Sequence, residues 1–340
     1  MDEITKIMVI SKWLECIKKQ KYKTFTEVLS EIIDEERKQH YSKQKSRRQH
    51  YSKQKSNEAS YAKYVECDSN VSVDDLFVEL NGLTGLEKVK QEVKTLINFL
   101  KINMIRGKRG MQQVPISKHL VFSGNPGTGK TTVARLLARI YKGLGILSGG
   151  QLIEVDRSKL VAGYVGQTAI RTQKMIKKAM GGILFIDEAY TLSSSIGSND
   201  YGQEAIDTVL KAMEDHRDDF VVIVAGYPDL MKNFLESNPG LKSRFNKFIN
   251  FEDYNEDELT DIFKGMCKKS GYVIDADVEH YVHDIFAERY VKRGKNFANG
   301  RDVRNFFENA IANQANRLAC GIDLTDEKLS TLTIDDVKVQ

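Results

Sequence analysis

No apolar run in this chain can cross a bilayer. The longest, such as FVVIVA at 220–225, falls well short of the roughly twenty residues a spanning helix needs. The N-terminal MDEITKIMVISKW carries Asp2, Glu3 and Lys6 within its apolar part, unlike a secretory leader, and the expected location is the cytoplasm. The 4 cysteines, Cys16, Cys67, Cys267 and Cys320, have neither metal nor redox spacing, so reduced structural thiols are expected. Proline is as scarce, with 4 residues. What remains is a 340-residue chain with 41% hydrophobic residues, enough for two or three folded units.

The net charge of +4 is unevenly spread, because residues 37–56 hold eight Lys or Arg and no acid. This stretch is a tandem that differs at one position, RKQHYSKQKS followed by RRQHYSKQKS. It lacks apolar residues for a core, so it reads as a solvated linker. A contact for nucleic acid or another anionic partner is the competing reading. Before it, residues 3–36 suggest two short helices. Ile4, Ile7, Met8, Leu14 and Ile17 share one face, and Phe25, Val28, Leu29, Ile32 and Ile33 another. Trp13 belongs with the first face. Thr24 and Glu27 form a capping box.

The expected organisation is an N-terminal helical hairpin at 1–36, a basic linker at 37–70, an α/β domain at 71–252 and a helical unit at 253–340. Within 71–252, apolar strands at 119–124, 152–155, 182–187, 220–226 and 248–251 alternate with helical stretches. That alternation predicts a parallel sheet between helices.

Two motifs carry chemistry. GNPGTGKTT (124–132) follows a strand and opens a helix. The backbone N–H groups of Gly124, Asn125, Pro126's neighbours, Gly127, Thr128 and Gly129 can cradle phosphates at a helix N-terminus. Lys130 reaches the β and γ phosphates, Thr131 can ligate Mg²⁺, and Thr132 completes the motif. GGILFIDEAY (181–190) delivers Asp187 and Glu188 at a strand's C-terminal end, where open α/β sheets bind ligands. Asp187 suits the Mg²⁺, and Glu188 suits polarising a water, which favours hydrolysis over transfer to another acceptor. Arg244 follows a Pro-Gly turn in SNPGLKSRF (237–245), and Arg301 and Arg304 sit in NGRDVRN (299–305). Arginine suits charge spreading on a γ-phosphoryl group. Glu279, His280, His283 and Asp284 lack a further strong metal ligand nearby and read as surface residues. Tyr201, Tyr227 and Tyr254 read as packing residues.

Over about residues 75–320 the sequence resembles the AAA+ ATPases, and within them the CbbX/CfxQ (red-type rubisco activase) and stage V sporulation protein K family. The carriers are SGNPGTGKTTVARLLA, LVAGYVGQT, KKAMGGILFIDEAYTL, YGQEAIDTVLKAMEDHRDD, VVIVAGY and SNPGLKSRF. The resemblance implies a P-loop core of five parallel strands, a C-terminal helical lid, ATP and Mg²⁺ as cofactors, and a ring, expected to be a hexamer. It implies that Leu83, Gly85, Leu86 and Val89 border adenine. It further implies that Arg244 acts in the neighbouring subunit's site, that Arg301 senses the γ-phosphate, and that Tyr227 stands where many relatives carry a water-positioning Asn. Tyr164, Val165 and Gly166, in AGYVGQT, fall where such rings carry a pore loop. An aromatic next to an aliphatic residue can grip a peptide without sequence specificity, whereas a nucleic-acid motor would favour basic residues there.

The functional expectation is a remodeller that threads a protein client. A nucleic-acid motor using residues 37–56 and a non-catalytic scaffold are the alternatives. Rubisco activation and a sporulation-type role both stay open; 35 lysines against 16 arginines lean towards the second.

Overall fold

The computed structural model describes residues 72–114, 117–164, 166–193, 201–319 and 324–338. The expected N-terminal helices, the basic linker and Val165 lie outside the described residues.

Five strands form the expected parallel sheet: β1 (Leu120–Gly124), β2 (Leu152–Val155), β3 (Ile183–Ile186), β4 (Val221–Gly226) and β5 (Phe248–Phe251). Their order is β2-β3-β4-β1-β5. The central strands β3 and β4 are buried at every residue, whereas the edge strands alternate. That difference explains why FVVIVAG reads as a continuous apolar run, since a central parallel strand is covered on both faces. On the edge, Phe248 is half exposed.

Helices α1 (Val73–Asn81), α2 (Glu87–Lys108), α3 (Lys130–Gly143), α4 (Arg157–Leu160), α5 (Gln167–Ala179), α6 (Gly202–Asp215), α7 (Pro228–Glu236) and α8 (Pro239–Arg244) accompany the sheet. Helix α1 starts at a Ser72–Asp75 capping box. Helix α3 buries Val133, Ala134, Leu137, Ile140 and Tyr141, one stripe at helical spacing. The expected Pro-Gly turn at 239–240 is instead the first turn of α8. Asn238 caps it by accepting from the Gly240 N–H, and Pro239 occupies the first helical position, where its missing N–H costs nothing.

The C-terminal unit holds α9 (Glu256–Lys269), α10 (Ala276–Val291), α11 (Gly300–Ala319), α12 (Asp326–Ser330) and α13 (Ile334–Val337). It also contains a small parallel pair beyond the helices expected, β6 (Val273–Ile274) with β7 (Thr331–Leu332). The unit has its own apolar cluster. Phe263, Phe286, Phe306 and Phe307 meet there edge to face, at centroid distances from 5.4 to 6.4 Å.

Phe122 is fully buried in the sheet core, 6.5 Å from Phe185 and 5.0 Å from Phe251 between centroids. Phe122→Ala should therefore cost about 3–5 kcal/mol, read as a lower denaturation midpoint by circular dichroism. An unchanged midpoint would contradict close packing around this ring.

Candidate functional site

The C-terminal ends of β1, β3 and β4 converge on a cleft of about 650 Å³. Strand β1 runs into the phosphate loop, of which Gly124, Pro126, Gly127, Thr128, Gly129, Lys130, Thr131 and Thr132 line the cleft. Strand β3 delivers Asp187 and Glu188, and β4 delivers Gly226 and Tyr227. Across from them stand Leu83 and Leu86, the α9 residues Ile262 and Met266, and Arg301 and Arg304 from α11. The residues expected to hold nucleotide and Mg²⁺ are thus brought together, except that Asn125, Val89 and Gly85 do not line the cleft; Arg244, expected to act in a neighbouring subunit's site, does not line it either.

Asn125 turns away from the cleft, and its Nδ2 donates to the Asp253 carboxylate at 2.9 and 3.1 Å. Val89 is buried in the main core instead of bordering the cleft. Gly85 is a packing position: its φ is +59°, and a Cβ there would lie 2.2 Å from Glu258 Oε1. Arg244 ends α8 and does not line this cleft. Its Nη2 lies 3.6 Å from Glu214 Oε2, its carbonyl accepts from Ser117 Oγ at 2.7 Å, and its buried Nε has no hydrogen-bond partner among the described residues.

Lys130 Nζ donates to the loop carbonyls of Gly124 and Asn125 at 2.9 and 2.7 Å. Burial lowers its pKa from 10.5 to about 8; Asp187 and Asp253 oppose this, while Arg301 adds to it. A largely dry ammonium among carbonyl dipoles suits an incoming polyanion. Gly127 keeps the loop close to the lid, with φ +73° and a Cβ position only 2.2 Å from the Ala298 carbonyl. No side chain fits there.

Glu188 adopts φ +48°, a left-handed conformation that non-glycine residues rarely take. The strained turn is held on both sides. The Glu188 N–H donates to Asp187 Oδ1 at 3.1 Å, and its carbonyl accepts from the Thr191 N–H at 2.9 Å and Oγ1 at 2.7 Å. This presents the Glu188 carboxylate to the cleft from an exposed position. The Thr131 hydroxyl and the Asp187 carboxylate both line the cleft, a hard-oxygen pair of the kind a divalent cation such as Mg²⁺ takes.

Tyr254 packs in the C-terminal apolar cluster as expected, and the sequence pattern assigns no role to Asp253 or Asn299. Tyr254 lines the cleft, and its hydroxyl donates to the Thr128 carbonyl at 3.3 Å. Burial raises its pKa to about 12, so it stays a neutral donor. No local pattern flags Tyr254 or Asp253. Asn299–Gly300 is an Asn-Gly pair, a known signal for positive φ, and Asn299 has φ +50°. Of the four residues read as surface groups on α10, Glu279 pairs with Lys264 at 2.7 Å and His283 meets Asp257 at 3.1 Å.

Tyr164 stands apart from the cleft and is 74% exposed. Its loop is fastened at the base by two fully buried threonines. Thr168 Oγ1 accepts from the Ala162 N–H at 3.1 Å, and Thr172 Oγ1 donates to the Leu160 carbonyl at 3.1 Å. Gly166, at φ +76°, caps α5. The nearby basic side chains are engaged with backbone, Lys159 on the Glu154 carbonyl and Arg171 on that of Val161.

The profile of the ATPase family associated with various cellular activities (AAA) matches residues 120–253, and that of the AAA lid domain matches 255–340. Stage V sporulation protein K of Bacillus subtilis is 41% identical over 263 residues, covering 77% of this chain and 81% of that protein. CfxQ of Xanthobacter flavus is 43% identical over 268 residues, covering 78% and 84%. The chloroplastic ribulose bisphosphate carboxylase/oxygenase activase of Cyanidioschyzon merolae is 42% identical over 269 residues, covering 78% and 89%. A solved RuvB mutant from Thermotoga maritima superposes with a TM-score of 0.51 at 19% identity, over 76% of this chain and 70% of that one, a likeness of fold. Among the described residues, no helix is long and apolar enough to cross a membrane.

The buried lysine generates a pH dependence. A bound polyanion favours the ammonium, whereas burial in the free site favours the amine. Affinity for inorganic triphosphate should therefore be full below about pH 8 and fall above it, approaching tenfold per pH unit. Isothermal titration from about pH 7 to 9.5 would read this, and Lys130→Arg, which stays charged throughout, should flatten the fall. An affinity independent of pH in the unaltered protein would contradict a largely desolvated Lys130.

Proposed function

The chain belongs to the AAA+ ATPase family, in the branch of stage V sporulation protein K and the CfxQ and CbbX proteins, and on that premise we propose that it is a ring motor that remodels a protein client by drawing a peptide segment through a central pore. The observation that carries this reading is the pairing of a hydrolytic cleft with an outward tyrosine tip, linked by one helix. Helix α5 begins just after Tyr164 and leads into β3, which ends at Asp187 and Glu188. The backbone engagement of Lys159 and Arg171 leaves the loop tip aromatic instead of basic, which favours a peptide over a nucleic acid.

In this reading residues 71–252 form the catalytic unit and residues 253–340 its lid. ATP lies on the phosphate loop, its triphosphate on Lys130 and its base between Leu83 and Leu86 and the α9 wall. The Thr131 hydroxyl and Asp187 carboxylate would hold the Mg²⁺ whose charge offsets that of the phosphates. Glu188 accepts a proton from the attacking water, whose oxygen bonds to the γ-phosphorus as the bond to ADP breaks. Arg301 senses the γ-phosphate from the same chain. Arg244, remote from its own cleft and with an Nε that has no hydrogen-bond partner among the described residues, serves the neighbouring subunit in a ring, proposed as a hexamer. The relatives' names attach carboxylase activation to one protein and sporulation to another; a protein client is common to both readings.

Three variants test the reading. Glu188→Gln should retain ATP binding while turnover falls about 10²–10⁴-fold, and the trapped complex should retain its client for identification by mass spectrometry. Mixing inactive Arg244→Ala with inactive Lys130→Ala protomers should restore part of the turnover, because the second supplies its arginine to the first. No recovery on mixing would refute action across subunits. Tyr164→Ala should leave ATP turnover intact and abolish remodelling of the trapped client; unchanged remodelling would remove the grip from this loop.

A further inference from the structure

Asn299 occupies the N-cap of α11, yet its side chain does not cap that helix. Its backbone carbonyl accepts from the Asp302 and Val303 N–H groups at 2.9 and 3.2 Å. An asparagine there ordinarily turns its side-chain oxygen to the second or third N–H of its own helix. Here Oδ1 accepts instead from the Tyr254 N–H at 2.9 Å. Nδ2 donates to Asp253 Oδ1 at 2.8 Å and to the Phe297 carbonyl at 3.0 Å, with a longer contact to the Pro126 carbonyl at 3.4 Å. The residue is wholly buried and held at φ +50°, so the arrangement is both strained and enclosed. Such an outlier at a ligand cleft is a reason to look for a role.

The first N–H of α11 is served by the phosphate loop itself, since Gly300 N donates to the Gly127 carbonyl at 3.2 Å. A polar path therefore runs without a break through the site. Lys130 Nζ rests on the Asn125 carbonyl, Asn125 Nδ2 on Asp253, and Asp253 on Asn299, two residues before Arg301. Arg301 and Arg304 line the cleft and are exposed, and among the described residues neither side chain has a hydrogen-bond or ion-pair partner. Their placement is inherited from the backbone at the head of α11.

We propose that Asn299 is a positioning residue that ties the phosphate loop to α11, so that occupancy of the loop sets where Arg301 and Arg304 stand over the cleft. The inference rests on the nucleotide site proposed above. Filling the loop draws Lys130 Nζ from the carbonyls of Gly124 and Asn125 onto phosphate oxygens. The Asp253–Asn299 pair passes that rearrangement to the first turn of α11. A purely structural Asn299 would stabilise the lid equally with and without ligand.

The test uses the full-length chain and Mg²⁺ with the non-hydrolysable analogue AMP-PNP. In the unaltered protein AMP-PNP should slow amide exchange at residues 300–306, read by mass spectrometry. Asn299→Gly keeps a residue that tolerates positive φ and removes only the side chain. It should bind AMP-PNP within about threefold, lose the ligand-linked protection at 300–306, and lower kcat about tenfold with little change in KM. Asp253→Ala, which leaves residue 299 untouched, should produce the same loss. Adding Asn299→Gly to the pair Arg301→Ala with Arg304→Ala should slow turnover no further, because Asn299 acts through those two arginines. Retained ligand-linked protection in Asn299→Gly, or a multiplied loss when it is added to the arginine pair variant, would overturn the inference. An unaltered protein that neither binds AMP-PNP nor turns over ATP would overturn the site reading as well.

Discussion

Lys130 is a partly buried cation whose Nζ rests on two carbonyls of its own loop, with the Thr128 hydroxyl at 3.5 Å. Carbonyl dipoles compensate a buried charge partially, so the site gains most from an anion of high charge density. The rest of the cleft is arranged around that imbalance. A side chain at Gly127 is excluded where the loop meets the head of α11, because its Cβ would lie 2.2 Å from the Ala298 carbonyl and 2.7 Å from the Arg301 backbone nitrogen. The acids must be near enough to keep the ammonium charged, yet free to engage other partners, and Asp187 and Asp253 approach it from two different strand ends.

The sheet and the phosphate loop were legible because their signals are local. A fully covered strand is apolar throughout, and a loop that binds phosphate through backbone must be rich in glycine. Strand positions agree with expectation within a residue or two, and the acidic pair follows β3 as expected. Contacts made by residues far apart in the chain were less visible. Asp253 and Asn125 are separated by 128 positions and Asn299 and Asp253 by 46, and no periodicity encodes such meetings. Asn125 shows the difference: its place in the motif concerns its backbone N–H, and nothing local announces that its side chain meets Asp253. Val89 was misplaced because an apolar residue on α2 serves a core as readily as a base pocket. The Pro-Gly pair at 239–240 suggested a turn, but proline at a first helical position begins a helix as readily as it ends one.

The C-terminal unit owes its cohesion to a different chemistry. Four phenylalanines pack edge to face there, separate from the cluster beneath the sheet. Leu86 packs against both clusters, and beside it the border is crossed by hydrogen bonds, from Asn125 Nδ2 to Asp253 and from the Gly300 N–H to the Gly127 carbonyl.

Thr168 and Thr172 secure both roots of the Tyr164 loop with hydroxyls withdrawn from solvent. Both hydroxyls belong to α5, so the chain leading up to Tyr164 is tied to the helix that follows it. A displacement of Leu160 or Ala162 is thereby shared with the first two turns of that helix.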